Sequence, residues 1–111
     1  VKIPNCYNAD VTENKVLDYL LSLGHPEGEL KARFFLRWGF TREKWTMLAS
    51  ALARQAKVND YTITVEGRYG TKYVVIAPIE APNGKTPPVK TIWIIAEDEQ
   101  VPRLITAYPA S

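Results

Sequence analysis

The chain of 111 residues has one cysteine, Cys6, one histidine, His25, and one methionine. A lone cysteine closes no internal disulfide, and with His25 as its sole companion it cannot supply the Cys/His set of a structural zinc site. No metal and no cofactor are expected, and a reducing folding compartment fits. The apolar runs, such as Tyr73 to Pro78 and Thr91 to Ala96, fall far short of the roughly 20 residues that cross a bilayer, so no transmembrane helix is expected. There is no initiator methionine and no signal-peptide apolar core after Val1-Lys2-Ile3-Pro4, which reads as a trimmed or excised piece of a longer protein. A glycine-rich phosphate loop of the P-loop kind is missing. So is a separated carboxylate pair of the glycosidase kind, because Glu97, Asp98 and Glu99 crowd into one turn.

What is present suffices for one core: 46% of the residues are hydrophobic, and a chain of this length is expected to form a single domain over residues 1–111. The net charge of +2 is small but unevenly spread. Lys31 to Lys57 holds seven Lys or Arg against the single Glu43, whereas the segments on either side are net acidic. A polyanion such as RNA would feel that basic stretch. An ordinary solvated helix surface would carry the same charges.

Asp10 or Thr12 offers an N-cap, with Glu13 three residues after Asp10 as in a capping box. Val16, Leu17, Leu20 and Leu21 then recur at helical spacing up to Gly24. The spacing predicts a second helix from Pro26 to Trp38, with Leu30, Phe34 and Trp38 on its apolar side and Gly39 as its stop. A third, capped by Thr41, carries Trp45, Leu48, Ala49, Leu52 and Ala56 and ends near Lys57. From Tyr61 the period changes to two. Four strands are predicted: Tyr61 to Glu66, Lys72 to Ile79, Val89 to Ile95 and Arg103 to Tyr108. The Arg68 to Thr71 turn joins the first two, and an Asn83-Gly84 hairpin the second and third.

About three helices before four antiparallel strands make an α+β fold, with the helices packed on one sheet face. Strict alternation predicts that this face buries Ile92, Ile94 and Ile105. The opposite, open face would then show Thr91 and Trp93 beside Thr106 and Tyr108, with Thr62, Thr64 and Glu66 from the first strand. Hydroxyls and aromatics beside basic helices suit single-stranded RNA, although threonines and aromatics are also simply good strand formers.

The run from His25-Pro26-Glu27-Gly28 through Lys31 and Phe34-Phe35 to Trp38-Gly39-Phe40 resembles a bacterial small-domain family whose members open with a similar Ile-Pro-Asn-Cys segment. Tyr69 to Tyr73, Thr91 to Ile95 and Thr106-Ala107-Tyr108-Pro109 resemble the same family, so the likeness covers nearly the whole chain. That family occurs free-standing and at the C-terminal tips of polymorphic toxins. The ending, Thr-Ala-Tyr-Pro after a Thr-x-Trp strand, also resembles toxins of the barnase, EndoU, colicin and RelE type of fold. Those are helices followed by a four-stranded antiparallel sheet, and most are metal-independent ribonucleases, often acting on tRNA. The resemblance implies a bacterial ribonuclease toxin that acts in the cytoplasm, delivered into a target cell as part of a secreted, contact-dependent system. It also implies a cognate immunity protein, acidic and seated on the basic helices or the open sheet face.

Metal-free RNA cleavage needs a base for the 2′-hydroxyl, an acid for the leaving 5′-oxygen and donors for the charged phosphorane. Histidine is the side-chain type that exchanges protons near neutrality, and His25 precedes a helix start, where backbone N–H groups favour phosphate. Lys31 is the candidate for stabilising transition-state charge. The resemblance places a hydroxyl donor at Thr106, with Thr91 as its cross-strand counterpart and Tyr108 beside it. The candidate catalytic set is thus His25, Lys31, Thr91, Thr106 and Tyr108. Arg33 and Arg37, at i and i+4 on one helix side, together with Lys72 and Trp93, are candidates for RNA binding; the register of Lys72 stays open. Each has a plain structural alternative, such as a turn-closing His25 or a packing Trp93. The alternative for the whole chain is a non-catalytic module that binds RNA or a protein.

Overall fold

The computed structural model describes residues 1–110. After a 3-10 turn at Cys6–Asn8, helix α1 (Glu13–Lys15) opens at Thr12, whose hydroxyl oxygen accepts the N–H of Lys15 at 3.2 Å. It passes directly into a π-helical turn, Val16–Leu20, closed by Leu21 N–H donating to Val16 C=O at 2.7 Å. Helices α2 (Glu29–Arg37) and α3 (Trp45–Val58) follow, then strands β1 (Ile63–Gly67), β2 (Gly70–Pro78), β3 (Pro88–Ala96) and β4 (Arg103–Pro109). The strands form one sheet in the order β1-β2-β3-β4, every neighbour antiparallel. The α+β fold expected from the periodicity is the one observed. Among the described residues no helix is long and apolar enough to cross a membrane.

The first helical segment ends at Leu20, well before Gly24. Its last carbonyls are met by Arg42, whose Nη1 donates to Leu17 O and to Leu21 O, so no glycine is needed there. The second helix starts three residues later than its spacing suggests, because Pro26-Glu27-Gly28 is a turn folded back on His25. Its buried residues are Ala32 and Phe35, whereas Leu30 is 79% exposed. The apolar stripe is therefore rotated from the predicted one, toward the side that packs on the π turn and β4. Gly39, with φ of +98°, ends the helix as expected. Asn83-Gly84 does turn the chain, but at the tip of a long loop between Pro78 and Pro88, so it is not a tight hairpin. The tight turn is Arg68-Tyr69, flanked by Gly67 and Gly70.

β1 and β3 are turned over relative to simple alternation, whereas Thr106 and Tyr108 of β4 stay on the open face as expected. The core holds Val75, Ala77, Val89, Trp93, Leu104 and Ala107 against Val16, Leu20, Phe35, Leu48, Leu52 and Ala56, with Ile95 packed on its edge. Thr91 is fully buried on this same side. Ile92, Ile94 and Val74 lie off the core, on the open face, where register aligns Ile63, Val74, Ile92 and Thr106 in one row and Val65, Lys72 and Ile94 in another. Ile76, Lys90 and Tyr108 make a third row. Thr62, Thr64 and Glu66 thus do not belong to the open face. In β4 a bulge near Ile105 places two residues between the inward Leu104 and the inward Ala107, which breaks the period-two count.

A buried polar network explains why β3 turns a threonine inward. Gln55, from α3, donates from Nε2 to Ala77 O at 2.8 Å and to Val89 O at 2.7 Å. Thr91 Oγ1 donates to Gln55 Oε1 at 2.6 Å and accepts the Trp93 indole N–H at 2.8 Å. Every donor in this set has an acceptor, so three polar side chains are buried at little cost. Thr91→Val keeps the shape and leaves the Gln55 carbonyl and the Trp93 N–H without partners. It should lower stability by about 2–4 kcal/mol in urea unfolding, whereas Thr91→Ser should recover most of the loss. A neutral Thr91→Val would show that the network does not hold α3 to the sheet.

Candidate functional site

The β4 bulge and the π turn face each other. A π turn spends one residue more than an α turn, and such turns recur at functional sites. Tyr19 sits within it and reaches the sheet: its hydroxyl lies 3.2 Å from Thr106 Oγ1 and accepts a hydrogen bond from Lys31 Nζ. Lys31 also lies 4.6 Å from the centre of the Tyr19 ring and 5.8 Å from that of Tyr108. Lys90, the cross-strand partner of Tyr108, approaches the Tyr108 ring at 5.6 Å. Lys15, one helical turn before Tyr19, lies 5.1 Å from its ring. Three ammonium groups thus converge on two phenols.

His25 completes the cluster, with its ring edge-on to Tyr19 at 5.0 Å. Its Nδ1 accepts the backbone N–H groups of Glu27 and Gly28, each at 3.1 Å, and so satisfies donors at the entry to α2. These N–H groups are therefore engaged by His25 itself, contrary to the expectation that they stand ready for phosphate. With Nδ1 accepting, the neutral ring carries its proton on Nε2 and offers a donor there. Gly28 makes this packing possible, since a Cβ at that position would come within 2.4 Å of Tyr19 O.

Tyr19 is the side chain whose acidity the site changes most plainly. Burial alone would push its phenol up. The hydrogen bonds with Lys31 and Thr106 and the charges of Lys31 and Lys15 outweigh that, and hold the phenol below the ordinary tyrosine value. An open groove runs beside it, lined by Asn14, Lys15, Asp18, Glu27 and Ile105 as well as by Tyr19, His25 and Thr106. A cavity of about 690 Å³ lies elsewhere, between α3 and the long loop after β2. Its lining includes Met47, Arg54, Val58 and Ile79 but no His, Lys or Tyr, so of the two it is the groove that gathers a histidine, a lysine and a tyrosine.

Of the expected catalytic residues, His25, Lys31, Thr106 and Tyr108 are brought together. Thr91 is not: it pairs across the strands with Ala107 rather than with Thr106, is fully buried and is tied to Gln55. Trp93 is likewise in the core and cannot stack on a base. Lys72 is exposed on the open face, opposite Ile94, which settles its register. Arg37 is exposed, and Arg33 pairs with Glu29 at 2.8 Å. Tyr19 and Lys15 escaped the reading of the sequence, because the apolar spacing around them marks the segment as a core helix. A tyrosine four residues after a lysine, six before the sole histidine, was the available signal.

Helices layered on one face of an antiparallel sheet, with a cationic and phenolic cluster at its edge, define the class of domain. The chain belongs to the family described as Domain of unknown function (DUF6883), whose model matches residues 2–111. No curated protein matches it. Among solved structures, a chain of the contact-dependent growth inhibition toxin and immunity protein complex from Klebsiella pneumoniae 342 has the same fold. The TM-score is 0.76 at 20% sequence identity, over 96% of this chain and 97% of that one.

Two measurements check the geometry. In an ultraviolet difference titration one phenol should ionise below the others, and Lys31→Met should return it toward them; tyrosines that all ionise together would contradict the Lys31–Tyr19 bond. Gly28→Ala should cost about 1–3 kcal/mol, because a backbone carbonyl has to move. Thermal unfolding unchanged by that substitution would show that the contact is not as close as described.

Proposed function

We propose that this domain is a metal-independent endoribonuclease of the bacterial toxin type, cleaving tRNA or another RNA by transesterification. The observation that carries the reading is the meeting of Tyr19, His25 and Thr106 at one groove, with Lys31 bonded to the Tyr19 hydroxyl and lying between it and Tyr108. Lys31, Thr106 and the Nε2–H of His25 supply donors for the scissile phosphate and the phosphorane formed from it. In its ionised form, Tyr19 takes the proton of the 2′-hydroxyl, whose oxygen attacks phosphorus. The 5′-oxygen leaves with a proton from the Lys31 ammonium, giving a 2′,3′-cyclic phosphate. The proton on Tyr19 then passes back to Lys31 along the hydrogen bond that joins them. Tyr108, flanked by Lys31 and Lys90, stacks on a neighbouring base.

Lys72, Lys90 and Arg37 hold flanking phosphates; Arg33, already paired with Glu29, contributes less. The structural neighbour is part of a contact-dependent growth inhibition complex, which supports placing this domain in a system of that kind. In that setting it acts in the cytoplasm of a target cell and meets a cognate immunity protein, for which a basic, partly apolar surface is a suitable docking face.

The test is incubation of the domain with total tRNA in EDTA, followed by mapping of fragment ends. Discrete fragments ending in cyclic phosphate are expected. Tyr19→Phe, Lys31→Ala, His25→Ala and Thr106→Ala should each slow cleavage by about 10²-fold or more while remaining folded. Thr91→Ser, which keeps the buried hydroxyl, should cleave like the wild type. RNA left intact, for tRNA and other RNAs alike, would replace the nuclease with the non-catalytic binding module.

A further inference from the structure

The Val16–Leu20 turn leaves one carbonyl without a helical partner. Leu21 N–H, which an α turn would direct to Leu17 O, donates instead to Val16 O at 2.7 Å. Ser22 N–H, the next donor along, turns back to Tyr19 O at 3.3 Å. Leu17 O thus receives neither the donor of an α turn nor that of a π turn, and closing the turn as α would satisfy it. Arg42 removes that advantage. From the loop between α2 and α3, its Nη1 donates to Leu17 O and, at 3.3 Å, to Leu21 O, so a charged donor bridges the turn. The loop that carries it is held on both sides. Phe40 is buried, its ring 6.2 Å from that of Phe35, and Thr41 Oγ1 accepts the N–H of Lys44 at 3.2 Å. Among the described residues the Arg42 guanidinium forms no salt bridge, although Glu43 is its neighbour and Asp18 lies in the turn it grips.

The width of the turn decides where Tyr19 points. Residues three apart in an α-helix share a face, so in an α turn Tyr19 would lie on the side of Val16, which is fully buried in the core. The wider turn gives that side to Leu21, also buried, and swings Tyr19 to the flank, where its hydroxyl meets Lys31 Nζ and Thr106 Oγ1. We propose that Arg42 is a positioning residue for Tyr19: by occupying the carbonyl that the π turn leaves open, it keeps the turn wide and the phenol between Lys31 and Thr106. As a statement about catalysis this rests on the nuclease reading, in which Tyr19 is the base. As a statement about the phenol it does not.

Arg42→Met keeps the length of the side chain and Arg42→Ala does not, but both remove the donor, and at an exposed position neither opens the core. In an ultraviolet difference titration of either variant, the phenol that ionises below the others should move back toward them. Arg42→Lys, which keeps a cationic donor, should hold it low. The charges that lower this phenol are those of Lys31 and Lys15, so its return reports lost contacts rather than the loss of the Arg42 charge. Arg68→Gln, which removes a charge at the turn between β1 and β2, is the control and should leave the phenol in place. With tRNA in EDTA, Arg42→Met should slow cleavage by about tenfold to 10²-fold, and adding it to Tyr19→Phe should cost little more, because both act through one hydroxyl. Folded Arg42→Met and Arg42→Ala chains with the low phenol unmoved would overturn the proposal, as would an equal movement in Arg68→Gln. RNA left intact by the wild type would remove the nuclease reading alone, and the titration would still decide the role of Arg42.

Discussion

The hydrogen bonds joining Gln55, Thr91 and Trp93 decide which way the sheet faces. Because the Gln55 side chain crosses from α3 to Ala77 O and Val89 O, and Thr91 joins it to the Trp93 indole, β3 has one inward side and no alternative. A slip of one residue would carry Ile92 and Ile94 into the core and strand three polar groups there or expose the tryptophan. Everything on the open face follows from that choice. Thr106 aligns with Ile92, Tyr108 with Lys90, and Lys31 finds a phenol on either side of its ammonium group.

The architecture was legible because it rests on period. Helical spacing around Leu48, Leu52 and Ala56 and the β-branched runs after Tyr61 mark three helices and four strands without further help. Orientation was not legible, since a strand as apolar as Thr91-Ile92-Trp93-Ile94-Ile95 has no polar side to point outward. Its inward threonine is tolerated only because a glutamine from a distant helix meets it, and periodicity carries no information about such a partner. Leu30 misled for a related reason: an apolar residue at the right spacing is not buried unless something packs over it.

The candidate site divides the same way. His25, Lys31, Thr106 and Tyr108 stand out by residue type and by resemblance, and they do converge. Thr91 and Trp93 were grouped with them by counting in twos, across a bulge that the count could not see. Tyr19 was hidden by its neighbours Val16, Leu20 and Leu21, all buried. Only the wider π turn explains how a residue in the midst of that apolar run reaches β4.

The bulge and the π turn have something in common beyond facing each other. Each is a regular element with one residue too many, and each surplus helps turn one hydroxyl, of Thr106 or of Tyr19, toward the other. Leu104 and Ala107 flank one surplus and Val16 and Leu20 bound the other, and all four lie in the core. In genetic terms each surplus is a single codon. Losing either one would part the two hydroxyls, so a short in-frame deletion is enough to dissolve this cluster in a chain of the same architecture.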